Sequence, residues 1–134
     1  MIFHLLYISE KTSLYHDSDL QTIIENSQLR NSAKEVTGIL IKNGPFFIQL
    51  LEGKEETVMS VYRMISLDKR HDKCRVLMSF RDTKRMFPSW HMGLVEAKDN
   101  DIRLAEFIPY LHGGILTTIG TRDKMIQVLK NFNS

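Results

Sequence analysis

The sequence predicts an α+β fold of ferredoxin-like topology, in the order β-α-β-β-α-β-β. Three observations carry this. Two apolar runs, residues 37–41 and 46–51, flank an Asn43-Gly44 turn signal and read as a β-hairpin. One strand-like run precedes the hairpin and two follow it. The stretches between them repeat apolar residues at helical spacing. A strand, a crossover helix and a hairpin, followed by a helix and two strands, give a five-stranded mixed sheet with two helices on one face.

Residues 2–9 are a short apolar run ending in polar residues and form the first strand. Alternation puts Phe3, Leu5, Tyr7 and Ser9 on one of its faces. Ser18-Asp19-Leu20-Gln21 has the Ser-x-x-Gln form of a capping box. The first helix is therefore expected over residues 19–30, with Asn31 at or just past its end. In the hairpin, Phe47, Gln49 and Leu51 share one face, and Phe46, Ile48 and Leu50 the other. Both faces are apolar, which predicts a central strand covered on both sides.

Glu55 and Glu56 open a second helix, where carboxylates suit the helix dipole. Val58, Val61, Tyr62 and Ile65 form its apolar stripe, and it is expected to end near Asp68. Residues 74–81 alternate as a fourth strand; residues 90–95 read as a fifth, with Trp90, Met92 and Leu94 on one face. After a polar link at residues 98–101, Leu104, Phe107, Ile108 and Leu111 stand at i, i+3, i+4 and i+7. A last helix from about Thr121 carries Met125, Ile126, Leu129 and Phe132. These amphipathic pieces need an apolar surface, and the sheet face lined by Phe46, Ile48 and Leu50 is predicted to receive them. Residues 1–96 are thus expected as the main domain, and 97–134 as a helical extension packed on it.

Composition narrows the function classes. At 134 residues, 43% hydrophobic and 25% charged, the chain reads as one ordinary globular domain. A net charge of +2 is too small to argue for nucleic acid or an anionic membrane surface. The lone Cys74 leaves no intramolecular disulfide, and no Cys/His spacing suggests zinc. No apolar run approaches the roughly 18 residues of a membrane span. The chain opens directly on a strand-like run, without a basic region or cleavage site, so no signal peptide is read and the cytoplasm is the expected compartment.

Catalytic signatures are missing as well. Glu55 and Glu56 read as a solvated helix start, Lys69-Arg70-His71 as a charged helix end, and Cys74 as a small core hydrophobe. His4 and His91 fall on strands as packed or solvent-facing side chains. No phosphate loop or nucleophile–base pair is visible, so no enzyme is expected. What remains odd is a set of polar groups on inward positions: Tyr7, Gln49 and Asn31. A buried carboxamide left unpaired costs roughly 1–3 kcal/mol. Two readings stay open. Either these groups satisfy one another inside the core, or a planar ligand with polar edges lies between the two helices, walled by Ile23, Ile24 and Ile65.

At these residues the chain resembles the BLUF domains, flavin-binding blue-light sensors. The resemblance spans roughly residues 2–95. It includes Leu6-Tyr7 with Ser9, Arg30-Asn31, and Val36-Thr37-Gly38-Ile39-Leu40. It continues through Phe47-Ile48-Gln49-Leu50-Leu51-Glu52-Gly53, Asp68-Lys69-Arg70-His71, and Phe87-Pro88-Ser89-Trp90-His91-Met92-Gly93. The resemblance implies that Tyr7 is the redox-active tyrosine and that Gln49 is the switching glutamine between it and the flavin. It further implies that Asn31 holds the O4/N3 edge of the ring. Arg30, Asp68, Arg70 and His71 match positions lining the other polar edge or the tail. Ser9, Trp90 and Met92 match the shell around the glutamine.

FAD is the family's usual flavin, but the marked contacts are to a ring that FMN and riboflavin share. Short members of the family commonly self-associate, so a homo-oligomer is expected. Output is expected through a protein partner on the C-terminal helices, with the fifth strand as relay. Two other readings compete: a cofactor-free ferredoxin-like module binding a metabolite or protein, and, more weakly, an acylphosphatase-like hydrolase.

Overall fold

The computed structural model of the chain describes residues 1–98, 101–107 and 119–132. Five strands form one sheet: β1 (Ile2–Lys11), β2 (Thr37–Asn43), β3 (Phe46–Gly53), β4 (His71–Asp82) and β5 (Gly93–Ala97). Their order is β4-β1-β3-β2-β5. β3 is antiparallel to both β1 and β2, so it is inserted between two strands that run the same way. This is the split βαβ unit of a ferredoxin-like fold, with β5 added parallel to β2 at one edge. Helix α1 (Leu20–Ala33) makes the first crossover, and α2 (Glu55–Ser66) joins β3 to β4.

The sheet separates two cores. Residues Phe3, Leu5, Tyr7, Phe47 and Leu51 pack with Ile24 of α1 and with Val58 and Val61 of α2. On the opposite face, Leu6, Ile8, Ile48 and Leu50 pack against Leu104, Phe107, Met125, Leu129 and Phe132. The two-sided burial read from β3 is therefore present, and the C-terminal segments cover the second face. They are a 3₁₀ turn at Ile102–Phe107 and helix α3 at Ile119–Asn131. The turn takes the place of the α-helical spacing expected there, while α3 begins two residues before Thr121. Ile108 and Leu111 lie outside the described residues.

Several boundaries differ from expectation for identifiable reasons. The Ser18–Gln21 capping box does not form; the Asp19 carboxylate instead accepts the His16 backbone N–H at 2.9 Å, and α1 starts at Leu20. Helix α1 runs on to Ala33, which puts Asn31 inside it. Its end is a six-to-one, five-to-two closure: the Val36 N–H donates to Asn31 O at 2.9 Å and the Glu35 N–H to Ser32 O at 3.4 Å. The left-handed residue of this closure is Glu35, φ 56°, where a glycine would have marked the stop in the sequence.

Helix α2 ends at Ser66, so Lys69-Arg70-His71 is not a helix end: Lys69 and Arg70 form the turn into β4, and His71 is its first residue. β4 begins three residues earlier than expected, with register shifts against β1 and Lys73 at φ 54°. The hairpin loop is Gly44-Pro45, one residue later than the Asn43-Gly44 signal, with Gly44 at φ 56°. The largest correction concerns β5, which starts at Gly93. Trp90, His91 and Met92 are therefore loop residues, and Trp90, Met92 and Leu94 do not share a strand face. Tight chain packing ends the strand there: the Trp90 carbonyl accepts the Gly38 N–H at 2.8 Å, and a Cβ at Gly93 would meet the Trp90 ring at 2.2 Å.

Candidate functional site

The register of β1 and β3 sets Tyr7 directly opposite Gln49, on the face that α1 and α2 cover. Tyr7 is 1% exposed and Gln49 6%. The Tyr7 hydroxyl donates a short hydrogen bond to Gln49 Oε1. On the other end of the carboxamide, Gln49 Nε2 points to Met92 Sδ at 3.4 Å. A thioether is a weak acceptor, so this amide has one good partner and one poor one. Burial pushes the Tyr7 hydroxyl well above its ordinary pKa, the charge of Cys74 acts the same way, and Arg30 opposes them. Tyr7 is thus a neutral phenol with a proton to give. The edge of its ring meets Tyr62 of α2, centroids 4.7 Å apart.

Between α1 and α2 lie two adjoining cavities of about 60 and 180 Å³. Both are lined by Ile23, Leu40, Gln49, Ile65, Asp68 and Arg70. Ser9, Tyr15, Phe47 and His71 close the first, and Asn26, Ser27, Arg30 and Met64 the second. Ile23 and Ile65 therefore form the two apolar walls expected from the sequence, one from each helix. Ile24 does not line either cavity; it is buried in the core beneath α1.

The polar rim is ordered. Arg70 grips Asp68 with Nη2 to Oδ2 at 2.6 Å and Nε to Oδ1 at 3.0 Å. That pairing holds the Asp68 carboxyl below its ordinary pKa. His71 Nε2 lies 2.7 Å from Ile65 O, and Nδ1 2.7 Å from Ser9 Oγ. A carbonyl can only accept, so Nε2 carries the proton, and in the neutral ring Nδ1 accepts from Ser9. Asn31 is fully buried but turned toward the loop after β4: Nδ2 donates to His91 O at 2.6 Å, and Oδ1 accepts from Arg30 Nε at 3.1 Å. The Arg30 Nη2 is buried without a hydrogen-bond partner among the described residues, and Arg30 lines the second cavity; burial lowers its pKa.

These features fit a flat aromatic group with polar edges. Two isoleucines face each other across a cleft, the carboxamide at its floor is half-satisfied, and one guanidinium nitrogen is orphaned. Among the described residues, no group of three or more His, Cys, Asp or Glu could hold a metal ion.

A protein-family model described as sensors of blue light using FAD matches residues 2–93. The chain belongs to the BLUF family. It is 36% identical over 93 residues to the alpha subunit of a photoactivated adenylate cyclase from Euglena gracilis, covering 66% of this chain and 9% of that protein. It is 39% identical over 71 residues to the blue light- and temperature-regulated antirepressor BluF of Escherichia coli K12, covering 53% of this chain and 18% of that one. The chain thus spans less than a fifth of these curated relatives, whose activities are their own. Among solved structures, the dark state of the BLUF protein BlrB superposes with a TM-score of 0.78 at 27% identity, covering 98% of this chain and 96% of that one. The photo-activated state of BlsA gives 0.80 at 23% identity over 97% and 95%, a likeness of fold. As a BLUF domain, the chain belongs to a family of flavin-using blue-light sensors. No helix among the described residues is long and apolar enough to cross a membrane.

In this BLUF domain, Gln49, Ser9, Ile23, Arg30, Ile65, Asp68, Arg70 and His71 line the cleft, whereas Tyr7 reaches it through its bond to Gln49 and Asn31 lines neither cavity. Of Trp90 and Met92, only Met92 touches Gln49; Trp90 stacks on Phe87, centroids 5.3 Å apart, and packs with the opposite core. Residues not singled out in the sequence also line the cleft, above all Leu40 and Phe47. Phe47 shares the Gln49 face by simple alternation, and Leu40 is the β2 partner of Gln49. A second overlooked residue is Glu52, a charged residue in a strand apolar on both faces. It is fully buried, and its signal was as visible as that of Gln49.

Proposed function

We propose that this BLUF domain binds FAD in the α1–α2 cleft and reports blue light through the Tyr7–Gln49 pair. The observation that carries this is the carboxamide of Gln49, held by a buried phenol at one end and a thioether at the other. When bound, the flavin supplies blue-light absorption and an excited state that takes an electron. Tyr7 is the donor, and its hydroxyl proton leaves along the hydrogen bond to Gln49. The Gln49 carboxamide then rotates or tautomerises, exchanging which end donates and which accepts. Its two ends have nearly equal size, so the exchange needs little change in volume. Asn31 would hold one polar edge of the cofactor, and Arg30, Asp68, Arg70 and His71 would line the other edge or the tail. No covalent bond to the cofactor is required, and Cys74 stays out of the chemistry.

Residues 97–134 form the output surface, which a downstream protein or a second copy of the chain contacts. The packing of Leu104, Met125 and Leu129 on Ile48 and Leu50 supports this, because β3 carries Gln49 between those two residues. Truncation after Ala97 is expected to abolish light-dependent partner binding.

Absorption spectroscopy tests the reading. Purified protein is expected to be yellow, to shift its flavin bands to the red under blue light, and to recover in darkness. Chromatography of the released flavin separates FAD from FMN. Protein that stays colourless after reconstitution with FAD would favour a cofactor-free binding module instead.

A further inference from the structure

The loop between β4 and β5 passes from one core to the other near Gln49. Phe87 is buried with Ile48 and Leu50 on the side of the C-terminal helices, and Met92, five residues on, is buried with Tyr7 on the cleft side. The start of this loop is held by Glu52. Register places Glu52 between His4 and Thr37 on the face opposite Gln49. Glu52 Oε2 accepts the Met86 N–H at 2.7 Å, and Oε1 accepts the Phe87 N–H at 2.7 Å and the Thr37 hydroxyl at 2.8 Å. His4 Nε2 lies 3.1 Å from Oε2. Arg85 closes the cluster, donating to Thr37 Oγ1 at 2.9 Å and to the Glu52 and Glu35 carbonyls at 3.0 and 2.8 Å.

From that anchor the loop is fixed link by link. The Trp90 N–H donates to Phe87 O at 3.1 Å, the Asn31 side chain binds His91 O, and the Gln28 side chain donates to Met92 O at 3.2 Å. The last link is Met92 Sδ against Gln49. Charge-assisted bonds to a buried carboxylate are the strongest in this chain, and the sulfur contact is the weakest.

We infer that Glu52 is a positioning residue for the photoswitch: by gripping the amides of Met86 and Phe87, its carboxylate sets where Met92 sits against Gln49. This rests on the flavin-switch reading above. Glu52 touches neither the cleft nor Tyr7, so its effect runs through the loop. Trp90, the single tryptophan of the chain, stacks on Phe87 and reports the state of the loop even without flavin.

The test compares Glu52→Gln, Met92→Ala and the double variant in the full chain. In flavin-free protein, Glu52→Gln is expected to move Trp90 emission to longer wavelength. In flavin-loaded protein it is expected to change the dark-recovery rate by about tenfold, the scale of one lost hydrogen bond to a charged group. In the Met92→Ala background the same substitution should change that rate less than twofold, while lowering thermal stability as much as before. A merely structural role predicts equal effects on recovery in both backgrounds. Equal effects, or an unchanged Trp90 emission, overturn the inference. If Glu52→Gln does not fold, Thr37→Val removes one of the same bonds and is read in the same way. Wild-type protein that binds FAD without a light-induced shift overturns the parent reading and this inference together; a normal wild-type shift with additive variants overturns this inference alone.

Discussion

β3 carries two buried polar side chains three residues apart, and their surroundings treat them in opposite ways. Glu52 faces the C-terminal helices and is saturated: both oxygens accept backbone or hydroxyl protons, and His4 lies against one of them. Gln49 faces the helical cleft with one strong bond and one weak one. A side chain with every bond made has no second arrangement of similar energy. A carboxamide between a phenol and a thioether has one, because exchanging its ends costs little when one partner is poor. In the proposed mechanism the same strand holds an anchor and a switch, and the difference between them is the quality of the partners rather than the depth of burial.

Four substitutions and one titration test that contrast. The largest effect is expected from Gln49→Leu, which should keep flavin in the cleft and lose the light-induced red shift entirely; a normal shift would mean another residue switches. Tyr7→Phe should do the same by removing the donated proton, as followed by flash spectroscopy. Next comes Glu52→Ala, which leaves two backbone amides and a hydroxyl unpaired. Urea unfolding should show a loss of about 3 kcal/mol.

The acid titration is subtler. Burial pushes the Glu52 carboxyl up, but the bonds from His4, Met86, Phe87 and Thr37 outweigh it, so its folded pKa lies below the ordinary value. A carboxyl lowered in the folded state stabilises above its unfolded pKa of about 4.3, and that contribution fades as pH falls through the lower folded value. Asp68, lowered by Arg70, adds a term of the same sign. Stability of wild type should therefore fall more steeply below about pH 4.3 than that of Glu52→Gln, as measured by thermal melts across pH. The smallest effect is expected at Leu29, which is 73% exposed on α1. Leu29→Ser should change stability by less than about 0.5 kcal/mol and leave the photocycle as it is.

The order of elements along the chain and both apolar faces of β3 are legible because a period of two leaves a clear mark. The Gln49 anomaly was legible for the same reason: one amide interrupts two apolar faces. Trp90 and Met92 were misread as strand because their spacing also alternates, while the contact that ends β5 there, Trp90 over Gly93, is made through space. The end of α1 was hidden since Glu35, not glycine, takes the left-handed position. Glu52, three positions before α2, interrupts the strand as visibly as Gln49 does, but its partners are not visible in the sequence. Three of those partners come from residues 15 to 35 positions away, and no local pattern announces them.

The pairing of β1 with β3 has a consequence for what light can move. Tyr7 and Gln49 sit in the middle of a ladder of eight matched residues, from Phe3 opposite Gly53 to Glu10 opposite Phe46. The spacing between Tyr7 and Gln49 is thereby a property of the main chain, as the spacing of teeth is a property of a gear. In the proposed photocycle, side-chain torsions can change while the main-chain spacing of Tyr7 and Gln49 stays the same. A photocycle built this way can repeat many times without the reacting pair drifting apart. It is also unforgiving of insertion: one residue added in β3 ahead of Gln49 would turn Gln49 to the opposite face and put Ile48 in its place, and one added in β1 ahead of Tyr7 would do the same to Tyr7.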